Sequence, residues 1–229
     1  MEFYHDPGST SSRAVLLFAA EHRLPLRQKL VSLMSGANHA PEFERLNPNK
    51  AVPVLKDGDL VLTEGSAILK YLADLAGSPT YPTDLKSRAQ VNSAMDWFNT
   101  NFYAEFGLGF VYPQVLPHHR YADPDTQKAV IERGRQRALF RFDVLDRRIG
   151  EHGGDHVLGS EISLADYLGS IYVSIGDYVD FDLAPWPNVA RWMEGMRARP
   201  CWDEVNSVFY KWREAMRVPV QAELIATPL

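Results

Sequence analysis

Four consecutive hydroxyl residues, Ser9, Thr10, Ser11 and Ser12, follow the turn Asp6-Pro7-Gly8 and stand at the start of an apolar helical run. A small hydroxyl at a helix start accepts from a free backbone N–H, which is worth about 1 kcal/mol. One cap is enough, so at least one of the four is free for chemistry. Two other stretches belong with this one: Ala51-Val52-Pro53-Val54, and Thr63-Glu64-Gly65-Ser66. The first carries an X-Pro bond, where a cis peptide costs only about 0.5–1 kcal/mol. The second opens another helix, whose unpaired N–H groups and positive dipole suit an anion.

Residues with other chemical potential read as structural. His118-His119 has no carboxylate or third ligand at metal-binding spacing, so no metal is expected. Cys201, between Pro200 and Trp202, reads as a small buried apolar residue. As a single cysteine it forms no internal disulfide and no cysteine metal cluster. A reducing, cytoplasmic setting is the matching expectation.

The bulk properties exclude several classes. The chain has 229 residues, 45% hydrophobic and 23% charged, with a formal net charge of −5. That is enough chain for one large domain or two compact ones. No basic patch is concentrated anywhere, which speaks against nucleic-acid binding. No apolar run is long enough to span a bilayer, so no membrane partner is expected. The N-terminus lacks the basic start and apolar core of a signal peptide.

The elements that must position these residues fall into two sets. The first 76 residues alternate: strand Glu2–Tyr4, helix Ser12 to Glu21, strand Arg27 to Val31, and a short helix from Pro41. Strands Val52–Lys56 and Asp59–Leu62 follow, joined by Asp57-Gly58, and then a helix from Ser66 to Ala76. The Asp-Gly dipeptide is a hairpin signal. The order βαβαββα with a mixed sheet is thioredoxin-like. Gly77 to Asp84 is a Pro-rich polar connector, giving domains at 1–77 and 86–229 with a linker over 78–85. Beyond it no convincing strand recurs. One long helix is expected from Lys86 to Phe110, with Phe98, Phe102, Phe106 and Phe110 at every fourth position. A second runs from Asp125 to Ile149. Ser163-Leu164-Ala165-Asp166 is a capping box ahead of an apolar, hence central, helix. Helices Pro187–Arg199 and Trp202–Met216 and a tail, Val218 to Leu229, complete an all-α second domain.

Taken together, the chain resembles the glutathione S-transferases, nearest the serine-type theta and delta classes. The resemblance rests on Pro7-Gly8-Ser9-Thr10-Ser11-Ser12-Arg13, on Asn47-Pro48-Asn49-Lys50-Ala51-Val52-Pro53-Val54-Leu55, on Asp57-Gly58, on Leu62-Thr63-Glu64-Gly65-Ser66-Ala67-Ile68, and on the capping box at Ser163. It covers nearly the whole length. The implied architecture is a thioredoxin-like α/β domain followed by an all-α domain. The implied activity is conjugation of glutathione, the co-substrate, to a small apolar electrophile.

A free thiol has a pKa of about 8.5 and is only a few per cent thiolate near neutrality. A hydroxyl donating to sulfur, at a helix N-terminus, favours the charged form. Ser9 is the residue placed for both effects. Ser12 fits the first helical turn, and Thr10 or Ser11 is expected to cap it. In thioredoxin-like folds a Cys-x-x-Cys pair sits here, so with hydroxyls in all four positions the sulfur must come from a bound thiol. Tyr4, inside the first strand, reads as a packed aromatic rather than a rival thiol activator.

By the resemblance, Val52 and Pro53 form a cis pair whose backbone meets an extended peptide ligand. Glu64 meets the ligand's ammonium group, and the helix opening at Gly65 and Ser66 meets its γ-glutamyl carboxylate. The family's usual serine at position 65 is Gly65 here. The missing hydroxyl would cost about 1–2 kcal/mol of affinity unless Ser66 replaces it. Lys50, with His39 or Asn38, is expected near the glycine carboxylate. Trp97, Asn101 and Phe102 are expected to line the electrophile pocket, with Tyr103 and Phe106 behind them. Two other functions fit the same residues: a glutathione-dependent isomerase, lyase or dehalogenase, and a non-catalytic binding or assembly module on the same scaffold. The family also implies a homodimer.

Overall fold

A computed structural model describes residues 1–216. The tail expected from Val218 lies outside the described residues. Strand β1 (Glu2–His5) runs into helix α1 (Thr10–Glu21), then β2 (Arg27–Leu30), a short α2 (Pro41–Glu44), β3 (Val54–Asp57), β4 (Leu60–Thr63) and α3 (Gly65–Leu75). The sheet order is β2-β1-β3-β4, with β1 parallel to β2 and antiparallel to β3. A helical crossover between two parallel neighbours is what the α1 segment requires. Phe3 pairs with Leu55 at the sheet centre, and both are buried against Val15, Phe18, Ile68 and Leu72 from the helices.

The hairpin falls one residue later than Asp57-Gly58 suggests. Asp57 is still paired, opposite Leu60, so the loop is Gly58-Asp59 and only Gly58 takes a positive φ of 61°. Glycine at the first central position is what such a turn demands.

The second set of elements is helical: α4 (Leu85–Trp97), a π-helical segment (Phe98–Val111), α5 (Tyr112–Val115), α6 (Pro124–Glu151), α7 (Leu164–Ser174), α8 (Pro187–Arg197) and α9 (Trp202–Met216). The single long helix expected to Phe110 therefore changes winding at Phe98. Its four phenylalanines are all buried; Phe98 packs edge-on to Phe102, and Phe102 and Phe106 pack edge-on to Phe142 of α6. Gly109 and Gly134 let this segment and α6 touch backbone to backbone, since a Cβ on Gly134 would fall 3.0 Å from the Phe110 nitrogen.

Asp166 ties the helical domain together. Its carboxylate is fully buried and accepts from the Val157 N–H (2.9 Å), the Ser163 N–H (2.8 Å), the Ser163 hydroxyl (2.8 Å) and the Trp192 indole N–H (2.9 Å). Burial pushes this carboxyl above its usual range, while the Val157 and Ser163 hydrogen bonds pull it down.

The two domains are joined along α1. Its far end carries Glu21, which accepts from Tyr167 of α7 at 2.6 Å and from Arg199 Nε at 2.6 Å. His22, next along, bridges the Phe18 carbonyl at 2.9 Å and Ser78 of the connector at 2.8 Å. The Gly77–Asp84 connector is thus docked, and the Thr80 carbonyl accepts from the Leu164 N–H at 3.0 Å.

Candidate functional site

The turn before α1 is braced from within. Asp6 is buried, and its carboxylate accepts from the Gly8 N–H and the Leu33 N–H, each at 2.8 Å. Its carbonyl accepts from the Ser9 N–H at 3.0 Å. An Asp side chain bonding two residues ahead is a standard turn device. Here it fixes the approach to the helix.

Ser9, not Thr10 or Ser11, occupies the cap position. Its backbone is extended (φ −65°, ψ 130°), and its oxygen lies 3.4 Å from the Ser12 N–H. That is long for an N–H···O bond. The oxygen is weakly engaged, and the hydroxyl proton remains available to an anion at the helix start. Ser9 is half-buried, whereas Ser12 is wholly enclosed.

Gly8 has a packing reason. The Trp212 indole of α9 lies over it, and an added Cβ would come within 2.6 Å of Trp212 Cη2. The turn and the aromatic roof are therefore fitted to each other. Gly8→Ala is expected to displace Ser9 and lower conjugation about tenfold or more, as misplaced catalytic geometry does. Gly8→Ala with Trp212→Leu should recover most of that loss in a steady-state assay. A double variant no better than Gly8→Ala alone would contradict the coupling.

A second helix start lies beside the first. Gly65 begins α3 and is buried against Ser11, so that an added Cβ would stand 3.2 Å from the Ser11 carbonyl oxygen and 3.3 Å from its Cβ. The serine the family uses at this position would need Ser11 to give way. Glycine is thus the residue that lets the N-termini of α1 and α3 approach. Glu64 precedes it with φ 65° and ψ 115°, a conformation that costs a non-glycine residue about 1–3 kcal/mol. Strain of that kind concentrates at ligand-binding sites. Its side chain makes no cap bond and is exposed, while Ser66 is half-buried on the first turn.

The Val52–Pro53 peptide bond is cis, and Pro53 is buried. Asn38 and His39, indistinguishable by spacing, have different surroundings. The Asn38 amide donates to the Lys50 carbonyl at 2.9 Å and holds that loop, whereas His39 is exposed. The Lys50 ammonium lies 3.2 Å from Glu44 Oε1, a surface pair of little strength. Tyr4 donates to Glu2 at 3.1 Å and packs on Phe43, so its hydroxyl is spent on the sheet.

Residues chosen for the electrophile pocket divide differently. Phe102 has no exposed surface and belongs to the aromatic core. Trp97 packs on Phe98 and Phe102 and carries Arg148 of α6 over its ring at 5.0 Å. Asn101 donates to its neighbour Thr100 at 3.0 Å. It is Tyr112 that meets the first turn of α1, with its hydroxyl 2.7 Å from Thr10 Oγ1. Tyr103 donates to Tyr112 at 3.1 Å and stacks on Tyr172 with ring centroids 4.5 Å apart. Tyr172 in turn donates to Asn99 at 2.8 Å. Burial pushes the phenols of Tyr103 and Tyr172 upward, so they stay protonated through the physiological range.

Residues 1–74 match the family profile described as glutathione S-transferase, N-terminal domain, and residues 107–200 match its C-terminal domain. A glutathione S-transferase 2 of Anopheles gambiae is 34% identical over 86% of this chain and 90% of the mosquito protein. The chain belongs to the glutathione S-transferase family. Among solved structures, the delta-class glutathione transferase of Nilaparvata lugens is 32% identical, with a TM-score of 0.79 over 94% of this chain and 99% of that one. Human glutathione transferase theta-2, solved with glutathione and an unknown ligand, is 27% identical, with a TM-score of 0.83 over 99% of each chain.

In this transferase, Asp6, Trp212 and Tyr112 escape sequence reasoning. Asp6 has a signal, because Asp two residues before glycine is a turn-forming arrangement. Trp212 and Tyr112 have none, since each reaches the site from more than a hundred residues away. Among the described residues no group of His, Cys, Asp or Glu is arranged to hold a metal, and no helix is long and apolar enough to cross a membrane.

Proposed function

We propose that this transferase uses Ser9 to stabilise the thiolate of bound glutathione for attack on a small electrophile. The observation that carries the reading is the meeting of two helix N-termini across the Ser11–Gly65 contact, one capped by Ser9 and the other preceded by Glu64. Such a pair offers unpaired N–H groups to two anionic parts of one ligand. The α1 end takes the sulfur, and the Gly65 and Ser66 N–H groups take the γ-glutamyl carboxylate. Glu64, with its carboxylate free of cap duty, pairs with the ligand's ammonium. The Val52 backbone, beside Pro53, meets the cysteinyl part as an added strand would. Lys50 and His39 reach the glycine carboxylate, with Lys50 giving up part of its contact with Glu44.

The chemistry needs no covalent enzyme intermediate. The thiol proton leaves to water, and the Ser9 hydroxyl donates to the resulting sulfur anion. The thiolate then attacks an electrophilic carbon held on the helical side, where Tyr103, Tyr112 and Tyr172 stand nearest α1. Of the other pocket candidates, Trp97 and Phe102 pack on each other and Asn101 bonds its neighbour Thr100. We assign the chain a homodimeric, cytoplasmic setting on family grounds.

Gly65 is the one motif departure that favours a non-catalytic module. Its close packing on Ser11 gives it a structural reason instead. Titration calorimetry with glutathione, paired with a chloronitrobenzene conjugation assay, tests the reading. Saturable binding below millimolar ligand and measurable turnover are expected. No heat at millimolar glutathione would leave the scaffold reading standing. Binding without turnover, followed by activity on halomethanes or maleyl compounds, would point to dehalogenase or isomerase chemistry instead.

A further inference from the structure

We propose that Tyr172 of the helical domain is a positioning residue that, through Ser11, fixes the spacing between the starts of α1 and α3. That spacing sets the preference for the full tripeptide glutathione over a shorter thiol. The role rests on the two-helix reading of the ligand site given above, and Tyr172 itself does not touch the ligand.

Ser11 is where the two helix starts meet. It is the second residue of α1, and Gly65 is the first of α3. A Cβ on Gly65 would stand 3.2 Å from the Ser11 carbonyl oxygen and 3.3 Å from its Cβ. Any shift of Ser11 therefore changes how far apart the two N-termini are held. The Ser11 hydroxyl is bonded to the Tyr172 oxygen. Tyr172 gives its own proton to Asn99 Oδ1 at 2.8 Å, so in the bond with Ser11 the serine donates. Ser11 is thus tied to the helical domain and turned away from service as a ligand donor.

The anchor is rigid. Tyr172 is 4% exposed and stacks on Tyr103 with ring centroids 4.5 Å apart. It stands on α7, every residue of which is buried and whose first turn is held by the Ser163–Asp166 capping box. Burial raises the Tyr172 phenol, and the Glu64 carboxylate adds to the rise. Tyr172 is therefore within electrostatic reach of the residue that precedes Gly65, at the junction of both helix starts.

A ligand that bridges two anion sites gains fully from both only when their separation is fixed in advance. Otherwise part of the second contact is lost in ordering the site. A thiol without a γ-glutamyl group uses the α1 start alone and does not sense the spacing. Discrimination between the two thiols is the quantity that Tyr172 controls.

The test compares kcat/KM for glutathione with kcat/KM for cysteinylglycine, the same thiol without its γ-glutamyl group. A chloronitrobenzene serves as electrophile in both, so any effect on the electrophile cancels in the ratio. Tyr172→Phe keeps the ring and should lower that ratio about fivefold, the scale of one net hydrogen bond. Ser11→Ala should lower it by a similar factor. The double variant should fall no further than either single change, because both remove the same bond. A parent-like ratio in Tyr172→Phe overturns the proposal, whether the rates are kept or fall equally with both thiols. Additive effects in the double variant overturn it as well. If Tyr172→Phe does not fold, Ser11→Ala decides on the same ratio. The two readings fail separately. A parent protein that uses both thiols equally well sinks the γ-glutamyl site at α3, whereas a parent preference that survives in Tyr172→Phe sinks only the role of Tyr172.

Discussion

Ser9→Ala should lower the rate of chloronitrobenzene conjugation about 10²–10³-fold, the range for loss of one preorganised donor to a developing or stabilised anion. The same substitution should raise the pKa of the bound thiol, because the hydroxyl favours the charged form of its partner. Glutathione affinity should change much less. In the proposed reading the γ-glutamyl end of the ligand sits on α3, and the Ser9 substitution leaves Gly65 and Ser66 untouched. Stability should fall by less than the usual 1 kcal/mol or so for a lost cap, since the Ser9 oxygen is 3.4 Å from the Ser12 N–H. Conjugation at the parent rate by a folded Ser9→Ala protein would remove Ser9 from its role. Loss of glutathione binding as large as the loss of rate would assign it to binding instead.

Asp166→Ala should be the most damaging single substitution for folding. The carboxylate is fully buried and accepts from four donors on three residues: Val157, Ser163 and Trp192. Alanine would leave those donors without partners in a place water does not reach. Removing one side of a buried polar network costs about 3–5 kcal/mol. The expected readout is a lower urea midpoint with an unchanged slope, together with poor yield of folded protein. Asp166→Asn should be milder, because the amide oxygen still accepts, although its NH₂ meets donors. A midpoint shift equivalent to less than about 1 kcal/mol in Asp166→Ala would show that the network is dispensable.

Ser9 and Asp166 are both legible in the sequence, each through a local pattern. Ser163 and Asp166 lie three apart, so their interaction is short-range and a capping box announces it. Ser9 stands in a run of hydroxyls after a turn. Within that run the cap falls one or two residues earlier than the pattern suggests. Asp6 decides it: by holding the Gly8 N–H and accepting from the Ser9 N–H it starts the helix at Thr10. Helix ends are set by such competing bonds, which periodicity does not register.

The pocket residues show the opposite case. Trp97, Asn101 and Phe102 lie on the expected helix, but helical spacing gives a face only when the turn is known. At Phe98 the winding changes, and the residues that reach α1 become Tyr103 and Tyr112. Phe102 goes to the core with its neighbours four residues away. A wider turn rotates every later side chain, and nothing in the local composition marks where it begins.

By itself the sequence determined the order of elements, the two-part architecture, the family, and the three stretches that make the proposed site. All of these are written in short-range patterns: turns, caps, alternation and motif order. Tertiary structure alone decided which of the hydroxyls caps, why position 65 is glycine, and which aromatics face the first turn. The physical reason is that each depends on contacts that sequence spacing does not encode, most of them between segments far apart in the chain. Ser11 stands where a Cβ on Gly65 would point, Trp212 covers Gly8, and Tyr112 meets the Thr10 hydroxyl.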